Sequence, residues 1–266
     1  MSETTITILG CGSSGGVPRI GNDWGKCDPK NPRNRRNRCS ILITKTADNG
    51  GQTVVLIDTS PDLRNQLNST DTKHLDGVLY THPHADHIHG IDDLRAIAIN
   101  TCERVNVWAD EPTSDMLLKR FTYCFETPRG SDYPPILNLH RINLNEEIIV
   151  DGAGGQLVIL PFKVHHGRID SLGFRVGNAA YIPDTNGIPD ESLYALKNLD
   201  IWIIDALRET DHPSHFSFRQ TLEWIARVEP KQAYITNMHI DLDYDFVMDN
   251  TPDNTQPCYD GMVIRI

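Results

Sequence analysis

Short apolar runs recur along the chain between clusters of Gly, Pro, Asn and Asp, the pattern of strands bounded by turn residues. The clearest lie at residues 5–9, 40–44, 53–57, 77–80, 105–108, 157–160, 172–176, 179–182, 201–204 and 233–236. Apolar positions three and four apart predict helices over 63–68, 92–99, 111–125, 192–196 and 218–228. Strands predominate early and alternate with helices later, which predicts two sheets with helices on their outer faces rather than one parallel sheet. The Pro- and Gly-rich stretch 127–139 reads as an excursion or lid, not a boundary, so residues 1–266 are taken as a single domain.

A chain of 266 residues can bury a substantial core. Its net charge of -11 argues against a protein that coats nucleic acid, because non-specific phosphate binding rests on an excess of Lys and Arg. A small phosphorylated substrate, nucleotides included, remains compatible, since a few placed cations or metals can hold one. The six cysteines (Cys11, Cys27, Cys39, Cys102, Cys124 and Cys258) are scattered without a CxxC and read as reduced thiols of a cytoplasmic protein. The first residues carry no signal-peptide pattern. No run approaches the ~20 apolar residues of a membrane span, so no membrane partner is expected, while a homodimer stays open.

The densest chemistry is THPHADHIHG at residues 81–90, directly behind the apolar strand GVLY. His82, His84, Asp86 and His87 fall within six positions. Imidazole and carboxylate suit divalent metals of borderline hardness, and one loop leaving a strand can present His82 and His84 to one ion and Asp86 and His87 to the next. A His-rich surface loop or a helix cap is the plain alternative, and His89 falls outside the pattern.

HxHxDH after a strand resembles the signature of the metallo-β-lactamase superfamily. The rest of the chain is most similar to its PhnP-like phosphodiesterases, relatives of tRNase Z that act on phosphoribosyl cyclic phosphates. The resemblance runs through LGCGSSGGVPR, RNRRNRCSILI, VLIDTSPDLR, VHHGRIDSLGFRVG, YIPDTNG, IIDALR, HPSHFSFRQ and ITNMHIDLDY. It implies an α/β (α+β) fold, a four-layer αβ/βα sandwich, with two divalent metal ions (Zn or Mn) at one edge. Extra structural zinc bound by clustered N-terminal cysteines is not expected, because only Cys27 stands in that segment.

The same resemblance assigns Asp184, in a PDTNG turn, as bridging carboxylate, although such a sequence also makes a turn by itself. The third histidine of the first metal is His165 or His166. Neighbours on an extended segment point to opposite sides, and Gly167 after His166 favours His166. Relatives carry Thr-His after the final strand, where this chain has Asn237; His239, two residues on, is assigned to the second metal, with Asn237 as the alternative. Asp58 matches an aspartate that orients a metal-bound histidine.

A metal pair ~3.5–4 Å apart can share a hydroxide and stabilise an in-line displacement at phosphorus. His215 matches a family histidine near the leaving group and is assigned as general acid, with helix capping or packing as its plain role and His212 as a weaker neighbour. Asp86 is also assigned a catalytic part. Arg208, Ser13 and Ser14 are assigned to substrate, and Asp205 to support. The run Arg33, Arg35, Arg36 and Arg38 either contacts phosphate or forms local ion pairs. Its glycine-rich first loop lacks the GK[ST] of a P-loop and is read as passing close to the metals. The resulting expectation is a dinuclear phosphodiesterase, with tRNase Z-like cleavage and non-catalytic nucleotide binding as alternatives.

Overall fold

A computed structural model describes residues 2–144 and 146–266. Residues of the central strands alternate between two buried layers, as a side-chain period of two requires. Ile41, Ile43, Val55 and Ile57 enter one apolar cluster, whereas Leu42, Val54 and Leu56 enter another. Ile201 and Ile203 likewise join the first cluster while Trp202 and Ile204 join a third.

That first cluster lies between two seven-stranded sheets. One runs β14 (Val263–Arg265), β1 (Glu3–Gly10), β2 (Ser40–Thr46), β3 (Gln52–Ile57), β4 (Gly77–Leu79), β5 (Val105–Ala109), β6 (Leu137–Arg141). The other runs β13 (Thr255–Pro257), β12 (Gln232–Thr236), β11 (Ile201–Asp205), β10 (Ala179–Ile182), β9 (Ile169–Val176), β8 (Leu157–His166), β7 (Ile148–Val150). Helices α1 (Leu63–Ser69), α2 (Ala85–Ile88), α3 (Leu94–Thr101), α4 (Glu111–Arg120) and α5 (Thr122–Phe125) contribute to the second cluster, on the outer face of the first sheet. The 3-10 segment Asp190–Leu196 and α6 (Phe218–Val228) contribute to the third, and α7 (Tyr244–Asp249) packs beside β13. The fold is therefore the expected four-layer αβ/βα sandwich.

Four strands escaped the apolar pattern: β6, β7, β13 and β14. They are the outermost strands of the two sheets. An edge strand is partnered on one side only, and these four are three to five residues long: polar residues break up β6 and β13, while β7 and β14 are too short to show a period. The expected helix 111–125 is broken at Phe121, whose φ of -127° leaves the helical region. The start of the expected helix 92–99 is a 3-10 turn, Ile91–Asp93, before α3. Stretch 127–139 runs irregularly into β6.

Strands β3 to β6 are mutually parallel, as are β10 to β13. The carboxyl ends of β3, β4, β10, β11 and β12, with that of β8, carry the polar residues 58, 81, 82, 84, 86, 87, 166, 184, 205 and 237. Ligand sites in open α/β sheets sit at such ends, where the chain turns away and frees its side chains. No helix among the described residues is long and apolar enough to cross a membrane.

Candidate metal centre

Four side chains from three segments converge beyond the sheets. His82 and His84 follow β4, His166 ends β8, and Asp184 follows β10; their ligand atoms lie within 4.8 Å of one another. A second group, Asp86, His87 and Asp184, meets the same limit. Asp184 belongs to both: its Oδ2 lies 3.8 Å from His82 Nε2 and 3.7 Å from His166 Nε2, and its Oδ1 lies 3.3 Å from His87 Nε2. One carboxylate oxygen thus faces each group.

Hydrogen bonds behind the rings set which nitrogen faces inward. Buried Asp58, one residue past β3, accepts from Thr81 N and Thr81 Oγ1, each at 2.8 Å, and from His87 Nδ1 at 2.7 Å. Because the Thr81 hydroxyl donates to Asp58, its oxygen accepts from His82 Nδ1 at 2.9 Å. His166 Nδ1 donates to the Ser214 carbonyl at 2.7 Å. In their neutral forms His82, His87 and His166 therefore keep the lone pair on Nε2, as metal-ligating imidazoles require.

The charges agree with a bound cation. Burial holds His82 well below the ordinary imidazole range, lowers His84 and brings His166 to about 4, so these rings are neutral. His82 Nε2 and His166 Nε2 each approach His84 Nδ1 to 3.0 Å, a convergence of lone pairs that a cation relieves. Burial pulls His87 down too, but Asp184, Asp86 and Asp58 overcome it and hold its pKa well above normal. His87 Nε2 is buried without a hydrogen-bond partner, the kind of orphan that a metal ion satisfies. Burial pushes Asp184 up, yet His87, His215 and His82 bring it well below the usual carboxylate range. The residues fit divalent ions, which need neutral imidazole and ionised carboxylate: His82, His84 and His166 are neutral, Asp184 is ionised, and a cation would take the place of the His87 Nε2 proton among the same carboxylates.

Of the two adjacent histidines at the end of β8, His166 points inward and is buried, while His165 is half exposed on Asp170. His215 Nε2 lies 3.9 Å from Asp184 Oδ2, and its Nδ1 donates to Asp205 Oδ2 at 2.9 Å. Burial opposes its charge, but Asp205 and then Asp184 and Asp86 raise its pKa to about 9. His239 departs from its assignment. Its Nε2 is taken by Arg19 and its Nδ1 by Asp241 at 2.9 Å, so neither nitrogen is free for a metal. Asn237 is the residue that faces Asp184 and Asp205.

These groups open into a cavity of about 220 Å³ whose lining includes Ser13, Ser14, Arg19, Arg208, His212, His215 and His239. Ser13 Oγ is buried without a hydrogen-bond partner. Arg208 reaches it while bonded to the carbonyls of Thr210 and Asp211. Arg19 was missed by sequence reasoning, although the quoted motif LGCGSSGGVPR ends on it. None of residues 33–38 or 127–139 lines this cavity. Arg36 is instead buried, donating to Leu242 O at 2.8 Å; Arg33 lies over Tyr244 and Tyr259, Arg35 over Trp24, and Arg38 pairs with Asp62. The glycines of the first loop serve that packing: a Cβ on Gly10 would lie 2.0 Å from Arg38 O, and one on Gly12 2.9 Å from Arg36 Cβ. All six cysteines are free thiols, with Cys27 packed on the Ile240 and Leu242 carbonyls.

Residues 53–240 match the beta-lactamase superfamily domain. Over 260 residues the chain is 31% identical to a Porphyromonas gingivalis protein named octanoyltransferase, covering 96% of this chain and 50% of that protein. The chain thus spans about half the length of that relative. A solved structure described as a new diphosphatase from the PhnP family is 34% identical, with a TM-score of 0.88 over 100% of this chain and 98% of that one. The short form of human tRNase Z, 15% identical with a TM-score of 0.65 over 98% of each chain, shares the fold.

Proposed function

The chain belongs to the metallo-β-lactamase superfamily, in its PhnP-like branch; on that premise we propose that it is a metal-dependent hydrolase that cleaves a phosphodiester in a small nucleotide-like molecule or cyclic ribose phosphate. The observation that supports this most is the shared cavity. Two acid and histidine groups joined by Asp184 form its floor, and Arg19, Arg208 and His215 stand around them. In a chain of net charge -11, that local collection of cations suits an anionic, phosphorylated substrate.

In this reading His82, His84, His166 and Asp184 would hold one divalent ion, zinc or manganese, and Asp86, His87 and Asp184 would face a second. Such ions, when bound, supply Lewis acidity and an activated water. Arg19 and Arg208 orient the phosphate, with the free Ser13 hydroxyl available to a further oxygen. His215, charged and steered by Asp205, donates its Nε2 proton to the departing alcohol. A phosphoanhydride is the second reading, favoured by the relative described as a diphosphatase.

The test is a hydrolysis screen of metal-loaded protein with elemental analysis alongside. It would include bis(p-nitrophenyl) phosphate, cyclic nucleotides, dinucleoside diphosphates, thioesters and lactams. Turnover confined to phosphorus esters or anhydrides, and lost in His82→Ala, is the expected result. Turnover of a thioester or lactam with none at phosphorus would overturn the proposal.

A further inference from the structure

We infer that the two metal positions are unequal: the three-histidine position holds its ion tightly, and the Asp86–His87–Asp184 position holds its ion only weakly, because Asn237 presents a hydrogen-bond donor where a fourth ligand would stand. The first group offers three imidazole nitrogens and a carboxylate, a complete tetrahedral set. The second offers three residues, one of them the shared Asp184.

Asn237 is 2% exposed, lies directly after β12 and lines the cavity. Its Nδ2 lies 3.0 Å from Asp205 Oδ1 and 3.4 Å from Asp184 Oδ1. His215 Nδ1 also lies 3.1 Å away, but its hydrogen is directed at Asp205 Oδ2; the two carboxylate oxygens make this end of the amide the NH2 and not the oxygen, since ionised carboxylates only accept. Asp184 Oδ1 is the same oxygen that faces His87 Nε2. The amide therefore competes with an ion for that oxygen and returns no lone pair. His239 cannot compensate, because Arg19 and Asp241 occupy its two ring nitrogens. Losing a ligand outright costs more than the roughly 10–100-fold in affinity that loss of an outer-shell partner costs.

This inference rests on the metal-binding groups alone and not on the phosphorus substrate. Its test is equilibrium dialysis of chelator-stripped, full-length protein against buffered zinc, with metal content read by elemental analysis. One equivalent should survive gel filtration, and a second should bind only at free zinc more than 100-fold higher, in line with a loss beyond the outer-shell range. Asn237→His should retain two equivalents. At φ +61° the position is left-handed, a region in which Asn, Asp and His are the enriched non-glycine residues. Asn237→Asp, of the same shape and with an acceptor in place of the donor, should tighten the second ion as well, and is decisive if the histidine variant does not fold. Two equal equivalents in the natural protein would overturn the inference, as would folded variants that both still retain one. Retention of no metal at all would overturn it together with the assignment of the metal groups, and the dialysis separates these results.

Discussion

Asp58→Asn tests how the protein aims its histidines. Asp58 is fully buried, and burial raises its pKa despite the His87 and Thr81 contacts that lower it. Its Oδ1 accepts from a backbone N–H that can only donate, so in the variant the amide oxygen must stay on Thr81 N. The new NH2 then replaces Oδ2, which now accepts from both Thr81 Oγ1 and His87 Nδ1. Both bonds have to reverse. His87 becomes an acceptor at Nδ1 and carries its proton on Nε2, the atom turned toward Asp86 and Asp184. The Thr81 hydroxyl is freed to donate to His82 Nδ1, which places a proton on His82 Nε2 as well. A protonated nitrogen cannot ligate, so metal affinity should fall roughly 10–100-fold, or about 1.4–2.8 kcal/mol. The shape is preserved, and Asn tolerates the left-handed φ of +65°. Asp58→Ala instead leaves three buried donors without an acceptor, one on a charged ring, and should cost about 3–5 kcal/mol. At roughly 2–4 °C per kcal/mol for a chain of this size, that lowers Tm by about 6–20 °C. Calorimetric metal titration and thermal melts of the stripped proteins separate the two effects. Natural metal affinity in Asp58→Asn would refute the reasoning.

Other expectations are checked more simply. His215→Ala should lower kcat by about 10²–10⁴, and should remove an alkaline limb from the kcat/KM profile. The acid form of His215 is lost as pH rises through its pKa, about 9 in the metal-free protein, and bound cations move that limb to lower pH. An unchanged limb would count against the assignment. Arg19→Ala should raise KM with Tm preserved, reducing kcat/KM by the equivalent of about 1.5–3 kcal/mol for a lost charged hydrogen bond; steady-state kinetics on whichever phosphorus substrate is turned over decides it. Asp260, far in sequence from the candidate metal ligands and bonded to Cys11 and Asn37, is pushed by burial to about 7. A carboxyl raised in the folded state binds its proton there first, so its stabilising contribution is complete below about 4 and is lost as pH rises to about 7. Urea melts from pH 4 to 7 should show a slope near 1.4 kcal/mol per pH unit from this group, absent in Asp260→Asn.

Much of the site was legible locally. Four of its ligand-type residues stand within six positions behind a strand; alternation in an extended segment says that only one of His165 and His166 faces inward, and Gly167 together with the family pattern favoured His166. The inner strands were legible because both faces are buried, so their apolar runs are continuous. The four edge strands were not, because they are only three to five residues long, too short to establish a period, and polar residues break up β6 and β13.

What the sequence determined by itself was the superfamily, the sandwich and the cluster of ligand-type side chains at residues 82–87. The tertiary structure decided the opposite wall. Alternation would place residues 237 and 239 on one side, yet Asn237 adopts a left-handed φ of +61°, and the extended geometry behind that expectation ends there. Arg19, 220 residues away, then claims the His239 ring. The arginine run was decided in the same way, since Arg36 finds its main acceptor at Leu242, 206 residues on. Periodicity reports which face of an element is buried. It carries no record of which loops meet where two sheets end, and those meetings determine whether a histidine faces the candidate metal centre or an arginine.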